Sequence, residues 1–304
     1  MPKADDSSLG AEDRRFVEVR AKQLLDRADA WGRFPTRVDD LMEAAQLKVA
    51  ASSAFDPVAI MAYARVKGAQ AGQVIKSAIE KILGLYDPEE KTIHIDPTVT
   101  ASRQTFLKLH EAGHHELPAH RKIFRFFQDC AQTLRPDIAD QFEREANNFA
   151  RYTLFQGGTF AKMADDHALE IKSVTRLSRK FGASVYASAR EFARTNRRAC
   201  LVYVLERPTF GMSGFTADVR RIEASPSFLT RFGLPADTAI TADHPFAKLL
   251  PIGRRMTSPT EFAVVDRNGE RQIVIGEALD TTFNILILVY ALDDFAMPAP
   301  IVAK

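Results

Sequence analysis

Apolar positions recur with two different periods along the chain, and the change of period divides it. From residue 12 to 31, Phe16, Val17, Val19, Leu24, Leu25, Ala28 and Trp31 stand among charged residues at near-helical spacing, which predicts an amphipathic helix closed by Gly32 and Pro35. Val38 to Ala45 predicts a second short helix leading into a strand near Leu47 to Ala50, and Val58 to Ile79 a further helix carrying Gly68 and Gly72. Ile82 to Tyr86 and Thr92 to Asp96 flank the turn-rich Asp87-Pro88-Glu89-Glu90 and predict a hairpin. A helix then starts near Thr100 or Ser102 and runs to Glu116, where Leu117-Pro118 stops it, because proline lacks an amide hydrogen and restricts the residue before it. Helical periodicity resumes from Arg121 to Leu134 and, past Pro136, from Ile138 to about Leu154, before a loop at Gly157-Gly158.

From Ser173 two short helices follow, separated by Phe181-Gly182-Ala183, with Ser184 placed to cap the second; the pair reads as a helix-turn-helix-like segment. Past Cys200 the period shortens: Leu201 to Leu205, Phe262 to Asp266, Gln272 to Gly276 and Ile285 to Leu292 are short apolar runs bounded by turn residues, hence strands. An α+β chain in three parts results, 1–156, 157–198 and 199–304.

Composition narrows the classes. With 46% hydrophobic and 26% charged residues over 304 positions, the chain has apolar mass for two or three modest cores. Its 41 basic and 39 acidic residues leave a formal charge of +2, so no global field points to nucleic acid or membrane, and any basic surface is local. Cys130 and Cys200 are too few and too far apart for a disulfide framework or a thiolate metal cluster and read as reduced core residues. Met1 to Ser8 has no apolar signal stretch, and the longest apolar run, Ile285 to Leu292, is far too short to span a bilayer, so a cytoplasmic protein without a membrane partner is expected.

His110-Glu111-Ala112-Gly113-His114 changes the picture most. Histidines four residues apart project from one face of a helix and can share a metal ion. Glu111, one step round, can reach water held at that metal without displacing it, take its proton for attack on a peptide carbonyl, and pass the proton to the leaving amine. Phe106 and Leu109 offer the helix a packing side, and Ala112 and Gly113 are small where a substrate backbone would approach. A catalytic zinc has three protein ligands and one open position, so a third ligand is needed. His120 stands ten residues after His110, the spacing of metzincins, but Leu117 and Pro118 occupy the place of the turn glycine. Of the acidic pair Glu143 and Glu145, Glu143 has Asn147 one turn on, suited to hydrogen-bond a ligand from outside, and is favoured; Glu145, on a different face, reads as a solvated surface carboxylate. For stabilising an oxyanion, Tyr152 and His115 are the candidates.

In order along the chain, the hairpin Tyr86 to Asp96, the helix Arg103 to His114 and Glu143-Arg144-Glu145-Ala146-Asn147-Asn148-Phe149-Ala150 resemble the ImmA/IrrE family of bacterial zinc metallopeptidases, which is related to the thermolysin-like group. The last stretch is similar to the family's E-x-E-A-N-x-F-A run, whose first Glu is the third zinc ligand, so the resemblance implies Glu143 at that place. It extends through Val174 to Ser184 to about residue 198. One departure is Thr153-Leu154-Phe155-Gln156-Gly157, where the family often has Leu-Leu-Met-Pro; it leaves the helix end open and the ligands untouched. Members resembling IrrE add a C-terminal GAF-like domain, with which the β-rich tail, including Asp243-His244-Pro245 and Gly253-Arg254-Arg255-Met256, is compatible.

The resemblance thus implies a zincin-like metallopeptidase domain at 1–156, a helix-turn-helix-like segment at 157–198 and a GAF-like sensor domain at 199–304 with a small-molecule ligand. Its implied activity is that of a zinc endopeptidase holding one catalytic ion and cleaving a helix-turn-helix repressor to release stress-response or mobile-element genes. It also implies an edge strand beside the cleft, with an extended peptide adding along Thr92 and His94 while Ile93 and Ile95 face the core. The alternative is a DNA-binding transcriptional regulator with a structural or vestigial zinc site. Eight basic residues against one acid, Glu191, between Lys172 and Arg198 favour it through phosphate contact, whereas Glu111, a base with no purpose in a structural site, speaks against it.

Overall fold

The computed structural model describes residues 6–50, 84–87, 90–95, 98–121, 136–212 and 214–292. The expected helices Val58 to Ile79 and Arg121 to Leu134, along with Asp96 and Cys130, lie outside or almost outside these residues. The chain is of mixed α and β type and divides into two compact units, residues 1–159 with 180–183, and residues 160–179 with 184–304.

In the first unit, α1 (Ala11–Arg27) buries Val17, Ala21, Leu24 and Leu25, one helix face, while Phe16 and Val19 flank it and stay exposed. The helix ends before Trp31, whose indole N–H donates to Asp26. α2 (Val38–Ala44) leads into β1 (Lys48–Val49), which pairs in parallel with β3 (Thr92–Ile95); β3 pairs on its other side, antiparallel, with β2 (Gly84–Asp87). α3 (Ala101–Glu116) begins after Thr100 and stops where Leu117 turns extended ahead of Pro118, as the sequence predicts. Residues 118–121 are helical again, so the chain folds back over the end of α3.

α4 (Pro136–Leu154) packs lengthwise on α3 and on α1. Its close approach to α3 depends on Gly113, where a Cβ would lie 3.2 Å from Ala146 Cα and from Phe149 Cβ. Gly113 is therefore small for helix packing rather than for substrate, and Ala112 is fully buried. Past α4, Gln156 and Gly157 take positive φ, and the buried Gln156 side chain accepts from Gly32 N and donates to Arg33 O and Thr36 Oγ1. This stitching replaces the helix end that the family pattern left open.

The second unit holds α5 (Thr159–Asp165, which the unit boundary cuts after its first residue), α6 (Ile171–Phe181, to Arg179), α7 (Val185–Thr195) and a largely antiparallel sheet. Ser184 caps α7 by accepting from Ala187 N, as expected. Its strands are β4 (Cys200–Leu205), β5 (Thr209–Gly211), β6 (Gly214–Ala224), β7 (Ala239–Thr241), β8 (Thr260–Val265), β9 (Arg271–Asp280) and β10 (Ile285–Ala291), with α8 (Pro226–Arg231) after β6. They run in the order β5-β6-β4-β10-β9-β8, with β7 on β6. β4 and β10 are central and buried along their whole length, which accounts for their unbroken apolar runs; the core around Leu201, Tyr203, Ile287 and Val289 lies on one of their faces. Cys200 is buried. No described helix is long and apolar enough to cross a membrane.

Candidate metal centre

The helical spacing and the α3–α4 packing bring His110, His114 and Glu143 together. His110 Nε2 and His114 Nε2 are 3.2 Å apart, and the Glu143 carboxylate sits 3.3 Å from the first and 3.6 Å from the second. One donor atom from each lies within 4.8 Å of the others. Both histidines are buried, whereas the Glu143 side chain is 40% exposed, so the cluster opens on the glutamate side.

Hydrogen bonds on the far side of each ring define its state. His110 Nδ1 lies 3.0 Å from Asn147 Oδ1, and the Asn147 amide is oriented by donation from Nδ2 to Asp6 O at 2.8 Å. An amide oxygen only accepts, so His110 carries its proton on Nδ1 and presents a lone pair at Nε2. Two lone pairs facing each other across 3.2 Å repel unless a cation or a proton stands between them. The donor chemistry, two imidazoles and a carboxylate, fits a divalent ion.

The electrostatics agree. Burial works to lower His110, but the hydrogen bond and charge of Glu143, with Glu111 and Asn147, raise it to about 9, so the carboxylates favour a positive charge at His110 Nε2, which a metal ion would supply in place of a second ring proton. Burial works to raise Glu143, and its hydrogen bond to His110 with the charges of His110, His114 and His120 brings it down to about 2, which keeps it an anionic donor. Burial, with His110 and His120, holds His114 well below its ordinary range against Glu143, hence neutral as a ligand must be. Glu111 is buried; burial raises it, His110 opposes and Glu143 adds, leaving about 7, in the range of a base working near neutral pH.

Three expectations need correction. Thr92 and His94 do not border an open edge, because β3 is the middle strand: Lys48 N donates to Lys91 O and Ala50 N to Ile93 O on one side, and β2 pairs along the other. Glu145 is not a solvated surface group; its side chain is 13% exposed and its Oε2 lies 2.9 Å from His120 Nε2. The oxyanion candidates point elsewhere. Tyr152 covers Gly157 and is raised by burial and the charges of Glu18 and Asp26, while His115 Nδ1 lies 2.6 Å from Tyr86 Oη. Burial, Arg121 and Lys91 lower His115 to about 4, against the pull of an Ala45 backbone hydrogen bond, so it stays neutral.

In the second half of the basic segment from Lys172 to Arg198 the arginines are engaged within the second unit, while Lys172, Arg176, Arg179 and Lys180 in the first half are exposed. Arg190 and Arg194 each reach Glu223 at 2.7 Å, Arg197 pairs with Asp165 at 3.1 Å, and Arg198 donates to Ala164 O and His167 O. Six consecutive residues of α7, Ser188 to Ala193, are buried against the sheet. A recognition helix must present a face to the groove, and α7 has none to spare at those positions.

Residues 74–192 match the family model of the IrrE N-terminal-like domain, Peptidase_M78. Among solved structures the chain is similar to a Mycobacterium tuberculosis transcriptional regulator, with a TM-score of 0.50 and 13% identity over 93% of this chain and 81% of that one. Likeness at that identity speaks for the fold alone. No curated protein matches the chain.

Proposed function

Taking the IrrE N-terminal-like match at 74–192 as the premise, we propose that this chain is a cytoplasmic zinc endopeptidase that cleaves a helix-turn-helix repressor and so releases stress-response or mobile-element genes. The observation that carries the reading is the convergence of His110, His114 and Glu143 beside a buried Glu111 whose proton affinity lies near neutrality. His110, His114 and Glu143 would hold one zinc ion, with Asn147 orienting His110. The chemistry supplied by bound zinc is Lewis acidity, which polarises a carbonyl and makes water acidic near pH 7. Glu111 then accepts a proton from the attacking water and delivers it to the leaving amine. The repressor substrate is taken from the family resemblance, as are the helix-turn-helix-like character of 157–198 and a GAF-like sensor with a small-molecule ligand at 199–304. The antiparallel sheet of the second unit supports the last of these.

The test is to incubate the purified protein, with zinc, with each helix-turn-helix repressor encoded beside it. Cleavage that disappears with a chelator and in Glu111→Gln supports the reading. Cleavage undiminished in Glu111→Gln removes Glu111 from the mechanism, and no cleavage of any repressor removes the substrate assignment.

A further inference from the structure

His120 is fully buried, ten residues from His110, and outside the metal-binding trio. The turn that follows Pro118 returns its ring to α3, where it stacks on Phe142 with centroids 4.0 Å apart. Its Nδ1 lies 3.0 Å from His114 Nδ1, and its Nε2 lies 2.9 Å from Glu145 Oε2. Gln141 Nε2 donates to the other Glu145 oxygen at 2.8 Å.

We infer that Glu145, acting through His120, sets which ring nitrogen of His114 faces the metal, so that both are positioning residues of the centre. The inference rests on the metal-site reading above. The proton inventory along the chain has one solution when His120 is neutral. A carboxylate only accepts, so His120 Nε2 carries the hydrogen and donates to Glu145. His120 Nδ1 is then an acceptor, and the proton between the two Nδ1 atoms belongs to His114. With hydrogen on Nδ1, His114 keeps its Nε2 lone pair, the atom 3.6 Å from Glu143 and 3.2 Å from His110 Nε2. Asn147 does the same for His110 in one step, so both ligands are held in the metal-binding tautomer by separate devices on α4.

Reversing one end of the chain reverses the other. In Glu145→Gln the donation from Gln141 holds the new amide oxygen, so the amide NH2 faces His120 Nε2 and makes it an acceptor. His120 then donates from Nδ1, His114 becomes the Nε2–H tautomer, and a ligand is lost without any change to a ligand residue. His120→Asn keeps an acceptor for His114 Nδ1 where His120→Phe keeps only the stacking on Phe142.

Zinc affinity by competition with a chromophoric chelator tests this, with the His114 tautomer read from long-range 15N–1H spectra of the zinc-loaded protein. The expected result is a loss on the order of 10–100-fold in Glu145→Gln and His120→Phe, and affinity close to wild type in His120→Asn. Wild-type affinity in both Glu145→Gln and His120→Phe would overturn the inference, as would equal losses in His120→Phe and His120→Asn. Should Glu145→Gln fail to fold, the contrast between the two His120 variants decides. His114→Ala and Glu143→Ala separate the layers: if they also bind zinc normally the metal site itself is wrong, and if they alone lose it only the relay is.

Discussion

Gly113→Ala is a small perturbation with a calculable outcome. The added methyl would meet Ala146 Cα and Phe149 Cβ at 3.2 Å and Phe149 Cδ1 at 3.3 Å, several tenths of an ångström inside comfortable carbon–carbon separation. A ring edge can turn away, but the Cα belongs to the α4 backbone and moves only with the helix. Replacing a mid-helix glycine by alanine gains about 1 kcal/mol of helix propensity. Overpacking a closely packed contact costs about 1–3 kcal/mol, so the net change is a destabilisation of about 0–2 kcal/mol. The metal site should suffer more. His114 is the next residue on α3 and Glu143 stands one turn before Ala146 on α4, so spreading the helices parts the ligands. Ligand distances tolerate only about 0.2 Å, and a shift of the size needed here lowers zinc affinity by roughly tenfold. Urea unfolding followed by circular dichroism gives the first quantity and chelator competition the second. Gly158→Ala, with nothing within 4 Å of its Cβ, is the control and should change neither. Stability and zinc affinity both at or above wild type in Gly113→Ala would refute the helix contact.

Two further outcomes follow from particular groups. Glu111→Gln should retain zinc and fold yet lose proteolysis, since an amide cannot accept the proton from water, as metal analysis and substrate cleavage on one preparation would reveal. Burial works to raise the Glu223 carboxyl, but the charges and hydrogen bonds of Arg194 and Arg190 overcome it and leave it below the ordinary range. A depressed carboxyl contributes stability above its unfolded pKa, about 4.5, that is lost as pH falls through the folded value. The second unit should therefore weaken below about pH 5, and Glu223→Gln, which leaves Arg194 with Glu191 and Arg190 with Tyr186 but removes their charged hydrogen bonds to Glu223, should cost roughly 2 kcal/mol at neutral pH and flatten that acid dependence in denaturant titrations.

How much was legible in the sequence depended on the range of the interaction. The His110/His114 pair and its helix were readable because a helix places residues four apart on one face and proline ends it, both local effects. Glu143 was reached because Asn147 follows on the same helix. His120 and Glu145 each drew attention, but their partnership depends on the fold-back at Pro118 meeting α4 in one register, and no local period encodes that. The middle position of β3 escaped for a similar reason: the strand near Leu47 to Ala50 was expected, but nothing local says that it pairs with Thr92 and Ile93, more than 40 residues on. β6 was missed although Phe215, Ala217 and Val219 alternate with polar residues, since the alternation changes phase before Ile222 and Ala224, where its pairing with β4 shifts register. α5 was hidden behind Gly157-Gly158, which read as the start of a longer loop, while the two halves of the basic segment looked alike until Glu223, far along the chain, claimed Arg190 and Arg194.

The central claim is a zinc ion held by His110, His114 and Glu143, and metal content measures it most directly. Purified protein exchanged through a buffer of controlled free zinc and assayed by plasma emission should carry one zinc per chain, retained in Glu111→Gln and lost in His110→Ala, His114→Ala and Glu143→Ala alike. Full zinc occupancy in Glu143→Ala, or loss from Glu111→Gln equal to that from the histidine variants, would contradict the assignment.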